Sequence, residues 1–200
     1  MPRLILDWDG TVTERDTLHV AIERFGDLDV FHRSEAEIGR RLTLQEVIAV
    51  EMRTITAPLE EVVAYLVGTV PVRDGFRELV ERHEPLIVSA GFLELIEPVL
   101  EREGVRARVL ANSLDPRPEG WRASFRHGEP CAVCGEPCKR ASVLENGDDV
   151  VFVGDGVSDR CAALAAGRVF ARDGLAAWLE SQGVRYEPFD TLRDVLHALD

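Results

Sequence analysis

Three short apolar runs each stop on a polar cluster, and this repeated arrangement limits the folds open to the chain. Leu4-Ile5-Leu6 leads into Asp7-Trp8-Asp9-Gly10-Thr11, and Leu86-Ile87-Val88 leads into Ser89-Ala90-Gly91. Val150-Val151-Phe152-Val153 leads into Gly154-Asp155-Gly156-Val157-Ser158-Asp159. Apolar runs this short, without polar alternation, suit strands buried on both faces. Helical spacing fills the intervals, with helices predicted over 74–83, 92–102, 159–166, 175–181 and 192–199, and a further helix starting over 139–144. Segments 106–111 and 168–171 read as additional strands. Strands alternating with helices predict an α/β fold with a parallel sheet covered by helices. In such sheets ligands sit outside the carboxyl ends of the strands, so the three clusters are expected to meet at one edge.

The segment 14–71 breaks the alternation. Leu18, Ile22 and Phe25 keep helical spacing, as do Leu44, Val47 and Ile48, then Leu59, Val62, Val63 and Leu66. A strandless helical block here predicts an inserted helical cap, with 1–13 and 72–200 forming the core domain. Residues 112–138, rich in Pro, Gly, Arg and Cys, predict an irregular or hairpin-like excursion from that core. A chain of 200 residues accommodates one domain with such an insertion.

The net charge of −13 argues against a nucleic-acid partner, which needs a basic face. It also means that an anionic substrate requires locally concentrated positive charge from a cation, a lysine or backbone N–H groups. No stretch approaches the ~20 apolar residues of a membrane span. The start, Met-Pro-Arg followed directly by a strand, lacks a signal-peptide layout, and a cytoplasmic location is expected.

Taken together, Asp7-x-Asp9-Gly10-Thr11, Ser89, Lys139 and Gly154-Asp155-Gly156-x-x-Asp159 occur in the order of the four motifs of the haloacid dehalogenase superfamily of phosphatases, which the chain resembles over its whole length. Any one of them is weak evidence, since acidic turns, a serine helix cap and a surface lysine are common. The resemblance implies a Rossmann-like core, a helical cap of the C1 type, and Mg²⁺-dependent hydrolysis of a small-molecule phosphate ester. Asp7 would attack phosphorus, since a carboxylate with a pKa near ~3.9 is ionised at neutral pH. Asp9 would protonate the leaving oxygen and then activate water; for that its carboxyl must titrate about 3 pH units higher, roughly 4 kcal/mol of environmental bias. Asp7, Asp155 and the backbone carbonyl of Asp9 would hold Mg²⁺, with Asp159 orienting that shell. Ser89, Lys139 and the backbone around Gly10, Thr11, Ala90 and Gly91 would bind the phosphoryl oxygens.

Within the superfamily the helical insertion resembles that of the phosphoserine phosphatases and of the methionine-salvage phosphatases that act on a methylthio-ketopentenyl phosphate. Asp16 follows Asp7 by nine residues, where phosphoserine phosphatases carry a glutamate for the substrate amine; the salvage enzymes have an aspartate, a cysteine-rich stretch before the motif lysine, and an Ala-Arg-Asp segment similar to Ala171-Arg172-Asp173. The layout therefore leans to a salvage-type substrate, with a phosphoserine phosphatase or a phosphotransferase as the alternative, and a non-enzymatic zinc- or partner-binding protein as a further one. Asp16 is a candidate substrate-selecting residue or an acid at the start of the first helix. Arg53 is a candidate contact for an anionic or carbonyl group, or a solvated arginine. No motif reports the oligomeric state.

Cys131, Cys134 and Cys138 form C-x2-C-x3-C with His127 just upstream. This spacing suits a structural Zn²⁺ bound by three thiolates and one imidazole. Free thiols and a Cys-x-x-Cys redox pair remain open. Cys161 is expected to be buried and inert, and the other histidines to be structural or solvated.

Overall fold

The computed structural model describes residues 3–126, 128–147 and 149–200. Among them a seven-stranded sheet has the order β4-β3-β2-β1-β5-β6-β7. The strands are β1 (Arg3–Leu6), β2 (Leu86–Phe92), β3 (Arg108–Asp115), β4 (Arg122–Ser124), β5 (Val150–Gly154), β6 (Arg168–Ala171) and β7 (Glu187–Pro188). All neighbours pair in parallel except β3 and β4, which form an antiparallel hairpin. The helices are α1 (Thr17–Phe25), α2 (Leu28–Glu35), α3 (Leu44–Met52), α4 (Leu59–Thr69), α5 (Phe76–His83), α6 (Leu93–Glu103), α7 (Arg140–Leu144), α8 (Arg160–Ala163), α9 (Asp173–Ser181) and α10 (Leu192–Leu199). None of the described helices is long and apolar enough to cross a membrane.

Strand alternation sorts the core into two layers. Leu4, Leu6, Ile87, Val151 and Val153 face α5, α6 and α10, packing with Phe76, Ile96 and Leu196. Ile5, Leu86, Val88, Val150 and Phe152 face the other way, toward Val143, Ala162, Leu175 and Leu179. A third cluster joins the helical block to the sheet: Leu18, Ile22, Ile48, Met52, Val62 and Leu66 pack with Phe92, Leu95, Leu114 and Trp121. The indole of Trp121, fully buried, donates to the Ala57 carbonyl at 3.0 Å.

The α/β architecture and the parallel sheet agree with the sequence-based expectation. Three local features differ. β3 runs on to Asp115 because Ser113, Leu114 and Asp115 gain a partner strand, so the start of the 112–138 excursion is regular sheet. β7 is two residues long, without an apolar run to announce it. The helix expected over 159–166 is α8 alone, preceded by a 3-10 turn at Val157–Asp159.

Candidate active site

β1 is central, hydrogen-bonded to β2 on one side and β5 on the other, with Leu6 level with both Ile87 and Val153. The shared register delivers Asp7, Ser89 and Asp155 to the same edge. Asp7 continues the ladder through its N–H, which donates to the Val153 carbonyl at 2.9 Å. The chain then turns sharply at Gly10, whose φ of +76° is left-handed. A Cβ at Gly10 would lie 2.3 Å from Asp155 Oδ2, so only glycine lets the loop pass this close to the third cluster.

Lys139, just ahead of α7, is buried and donates its ammonium to Asp7 Oδ1 and, at 2.7 Å, to Asp159 Oδ1. Asp159 is fully buried, and its other oxygen accepts the N–H groups of Asp155 at 3.0 Å and Gly156 at 3.1 Å. It therefore ties the lysine to the β5 loop and has little capacity left. Asp155 Oδ1 accepts from the Thr11 hydroxyl at 2.9 Å. Burial, followed by the charge of Asp159, pushes the Asp155 carboxyl up to about 6. Burial and the charges of Asp159 and Asp155 also push Asp7 up, while the Lys139 ammonium opposes them. Carboxylate oxygens of Asp7, Asp155 and Asp159 lie within 4.8 Å of one another. Such crowding of hard oxygen donors around one lysine fits a small divalent cation, which would relieve the repulsion that raises Asp7 and Asp155.

Asp9 is differently held. Its Oδ1 accepts from the N–H of Thr17 at 2.8 Å and from the Thr17 hydroxyl, while Oδ2 lies 3.5 Å from Ser89 Oγ. Ser89 Oγ in turn accepts the Gly91 N–H at 2.8 Å. A Cβ on Gly91 would stand 2.8 Å from Asp9 Oδ2. Burial, then the negative charge of Asp16, raises the Asp9 carboxyl to about 7, with the Thr17 hydrogen bonds working the other way. Two carboxyls two residues apart thus have different roles open to them: Asp7 is ion-paired with a lysine, whereas Asp9 can carry a proton near neutrality.

The carboxyl groups open onto a cavity of about 320 Å³ between the sheet edge and the helices. Asp7, Asp9, Gly91 and Asp155 line its floor, and Asp16, His19, Phe31, Glu35, Ile48 and Glu51 its roof and sides. An adjoining cavity of about 230 Å³ is walled by Ile38, Leu44, Ile48, Ala90 and Phe125 on one side and by Lys139 and cysteines on the other.

The structure thus gathers Asp7, Asp9, Gly10, Thr11, Ser89, Ala90, Gly91, Lys139, Asp155 and Asp159 into one region. Asp16 caps α1, accepting the His19 N–H at 2.9 Å, and also lines the larger cavity. Arg53 is not brought in: it ends α3, its side chain is exposed, and it lines neither cavity. His127 lies outside the described residues.

Sequence reasoning passed over several contributors. Thr17 anchors Asp9. Arg73, buried, forks onto the carbonyls of Thr11 at 2.9 Å, Gly10 at 2.9 Å and Asp190 at 3.1 Å, fixing the loop that carries Asp7 and Asp9. Glu51 is 3% exposed, accepts from the Ser34 hydroxyl at 2.8 Å, and is raised to about 7 chiefly by burial. His19, expected from the sequence to be structural or solvated, stacks on Phe31 with ring centroids 4.5 Å apart and lines the larger cavity. Arg73 and Glu51 find their partners far along the chain, and Thr17 and His19 belong to no motif themselves.

Comparison with known proteins agrees with this geometry. The chain is 26% identical to a 2-hydroxy-3-keto-5-methylthiopentenyl-1-phosphate phosphatase of Bacillus mycoides, over 98% of this chain and 95% of that one. It is 26% identical to the enzyme of the same name in Bacillus cereus, over 96% and 93%. The fold superposes on a phosphoserine phosphatase bearing an analogue of the phospho-aspartyl intermediate, with a TM-score of 0.75 at 18% identity over 98% of both chains. A phosphoserine phosphatase of T. onnurineus gives 0.69 at 16% identity, covering 98% of this chain and 94% of that one. The profile of haloacid dehalogenase-like hydrolases matches residues 4–164, and the chain belongs to that family of enzymes.

Proposed function

We propose that the protein is a Mg²⁺-dependent phosphomonoesterase that works through an aspartyl-phosphate on Asp7, with Asp9 as acid and then base. The observation that carries this reading is the different setting of the two carboxyls: Asp7 sits on the Lys139 ammonium beside Asp155 and Asp159, whereas Asp9 is held by Thr17 and lies beside Ser89. Asp7, Asp155 and the Asp9 carbonyl would hold the Mg²⁺, with Asp159 behind them. When bound, the ion neutralises charge on the phosphoryl oxygens.

In this reading Lys139 and Ser89, with backbone N–H groups near Gly10, Thr11, Ala90 and Gly91, receive the phosphoryl oxygens. Asp7 forms the new bond to phosphorus as the ester bond breaks. The proton on Asp9 passes to the departing oxygen, which leaves as an alcohol or enol. Asp9, now a carboxylate, takes a proton from the water that attacks the aspartyl-phosphate. Phosphate leaves, and both side chains return to their starting states. Helices α1–α4, within 14–71, act as a cap that excludes bulk water over the core formed by 1–13 and 72–200.

The cavity walls favour one class of leaving group. Ile38, Leu44, Ile48, Ala90 and Phe125 offer an apolar surface beside the phosphate site. Asp16, Glu35 and Glu51 make the roof acidic. An apolar, uncharged chain such as the methylthio-ketopentenyl group suits this better than the α-carboxylate of phosphoserine, which would face three acids. The acids favour the amine of phosphoserine, so that substrate is the second reading. Phosphate release across a panel of phosphorylated metabolites with Mg²⁺ tests the choice. The proposal expects the highest kcat/KM for 2-hydroxy-3-keto-5-methylthiopentenyl-1-phosphate. Preference for phosphoserine would replace the substrate, and phosphate release equal in wild type and Asp7→Asn would remove the mechanism.

A further inference from the structure

Cys161 does not stand apart from the other thiols. α8 brings it to the cysteine loop, and the Sγ atoms of Cys131, Cys134, Cys138 and Cys161 all lie within 4.8 Å of one another. Four thiolates around one Zn²⁺ at about 2.3 Å stand about 3.8 Å apart, a spacing that these positions reach with small side-chain adjustment. An iron–sulfur cluster needs wider separation of its cysteines than a single ion does.

The loop is shaped for such an ion. Cys131 and Cys134 flank a tight turn in which the Gly135 N–H donates to the Cys131 carbonyl at 2.8 Å and the Cys131 N–H to the Glu136 carbonyl at 3.0 Å. Gly135 has a φ of +75°, and the Val133 N–H points at Cys131 Sγ at 3.4 Å. Apolar burial does little to hold the segment. Between 125 and 139, Lys139 alone among the described residues is buried, and Val133 is 55% exposed. A segment with so little apolar burial gains its order from a cross-link.

We propose that Cys131, Cys134, Cys138 and Cys161 form a structural Zn²⁺ site that clamps the loop bearing Lys139 to the segment bearing Asp159. Cys138 directly precedes Lys139, and Cys161 follows Asp159 by two residues. The ion therefore fastens the chain on both sides of the 2.7 Å Lys139–Asp159 pair. Cys134, Cys138 and Cys161 also wall the smaller cavity, and Leu44 of α3 donates to Glu136 at 3.4 Å. Loss of the ion would loosen one wall of the substrate cavity together with the lysine.

The test is metal content of the full chain purified without chelator from zinc-supplemented cells. About one equivalent of zinc is expected, falling well below half in Cys161→Ser and unchanged in His127→Ala. Cobalt(II) in place of zinc should give the intense thiolate charge-transfer and visible bands of a tetrahedral four-sulfur site. Wild-type zinc below about a tenth of an equivalent, iron in its place, or disulfides among these cysteines by mass spectrometry overturns the proposal. So does zinc retained by Cys161→Ser and lost from His127→Ala. If Cys161→Ser fails to fold, the wild-type stoichiometry and cobalt spectrum decide. Phosphatase activity enters none of these readouts, so they stand or fall apart from the catalytic reading.

Discussion

Asp9 and its neighbours carry the chemistry that is most open to measurement. If Asp9 is the proton donor, Asp9→Asn should cut kcat by about 10²–10⁴-fold while leaving phosphate affinity near that of the wild type. Turnover retained in that variant would contradict the role. Its titration gives a second handle. The acid must be protonated to act, so kcat/KM should fall as pH rises through about 7. The Thr17 hydrogen bonds lower this carboxyl, and Asp16 raises it. Thr17→Val should therefore move the basic limb to higher pH and Asp16→Asn to lower pH; identical profiles would separate Asp9 from the limb. Asp7, Ser89 and Asp155 were legible because each follows an apolar run that marks a buried strand, and Lys139 through its place in the order of the motifs. Thr17 was not, since a threonine eight residues downstream reads as an ordinary first helical residue.

Helices and loops depend on contacts that sequence spacing conceals. Arg73 binds carbonyls 62 and 63 residues away, and no local pattern distinguishes it from a surface arginine. Arg73→Ala would strand the carbonyls of Gly10 and Thr11 and should destabilise the fold by about 2–4 kcal/mol in denaturant titration. Arg73→Lys should recover only part, because an ammonium cannot fork onto separate carbonyls. Full stability in Arg73→Ala would show the loop to be held elsewhere. The pairing of α2 with α3 supplies a pH effect of opposite origin. Glu51 keeps its proton when folded to about 7, above its ordinary value of 4.5. The folded state thus binds a proton that the unfolded chain releases, and stability should decline from about pH 4.5 to 7 through this group. Glu51→Gln should raise stability above pH 7 by roughly 1–3 kcal/mol and change little below pH 4.5. Equal effects at both pH values would remove Glu51 as the cause.

The molecule as a whole was readable where its logic is repeated. Apolar runs alternating with helices predicted the parallel sheet, and the strandless stretch up to 71 predicted the helical block that now roofs the cavity. What the chain concealed are features created by distant segments meeting. β4 exists because Arg122–Ser124 finds Ser113–Asp115, β7 because Glu187 and Pro188 fall beside β6, and the four-thiol cluster because α8 turns Cys161 toward the loop. Arg53, which looked eligible from its place in the helical block, points to solvent.

Hydrolysis by this route requires a covalent bond between Asp7 and phosphorus. Rapid quenching during turnover with Mg²⁺ and a phosphate ester, followed by borohydride reduction, converts an acyl phosphate to the alcohol. Peptide mapping should then find homoserine at position 7, only when substrate is present and never in place of Asp9. Steady phosphate release with Asp7 left unmodified, or with the label on another side chain, would contradict it.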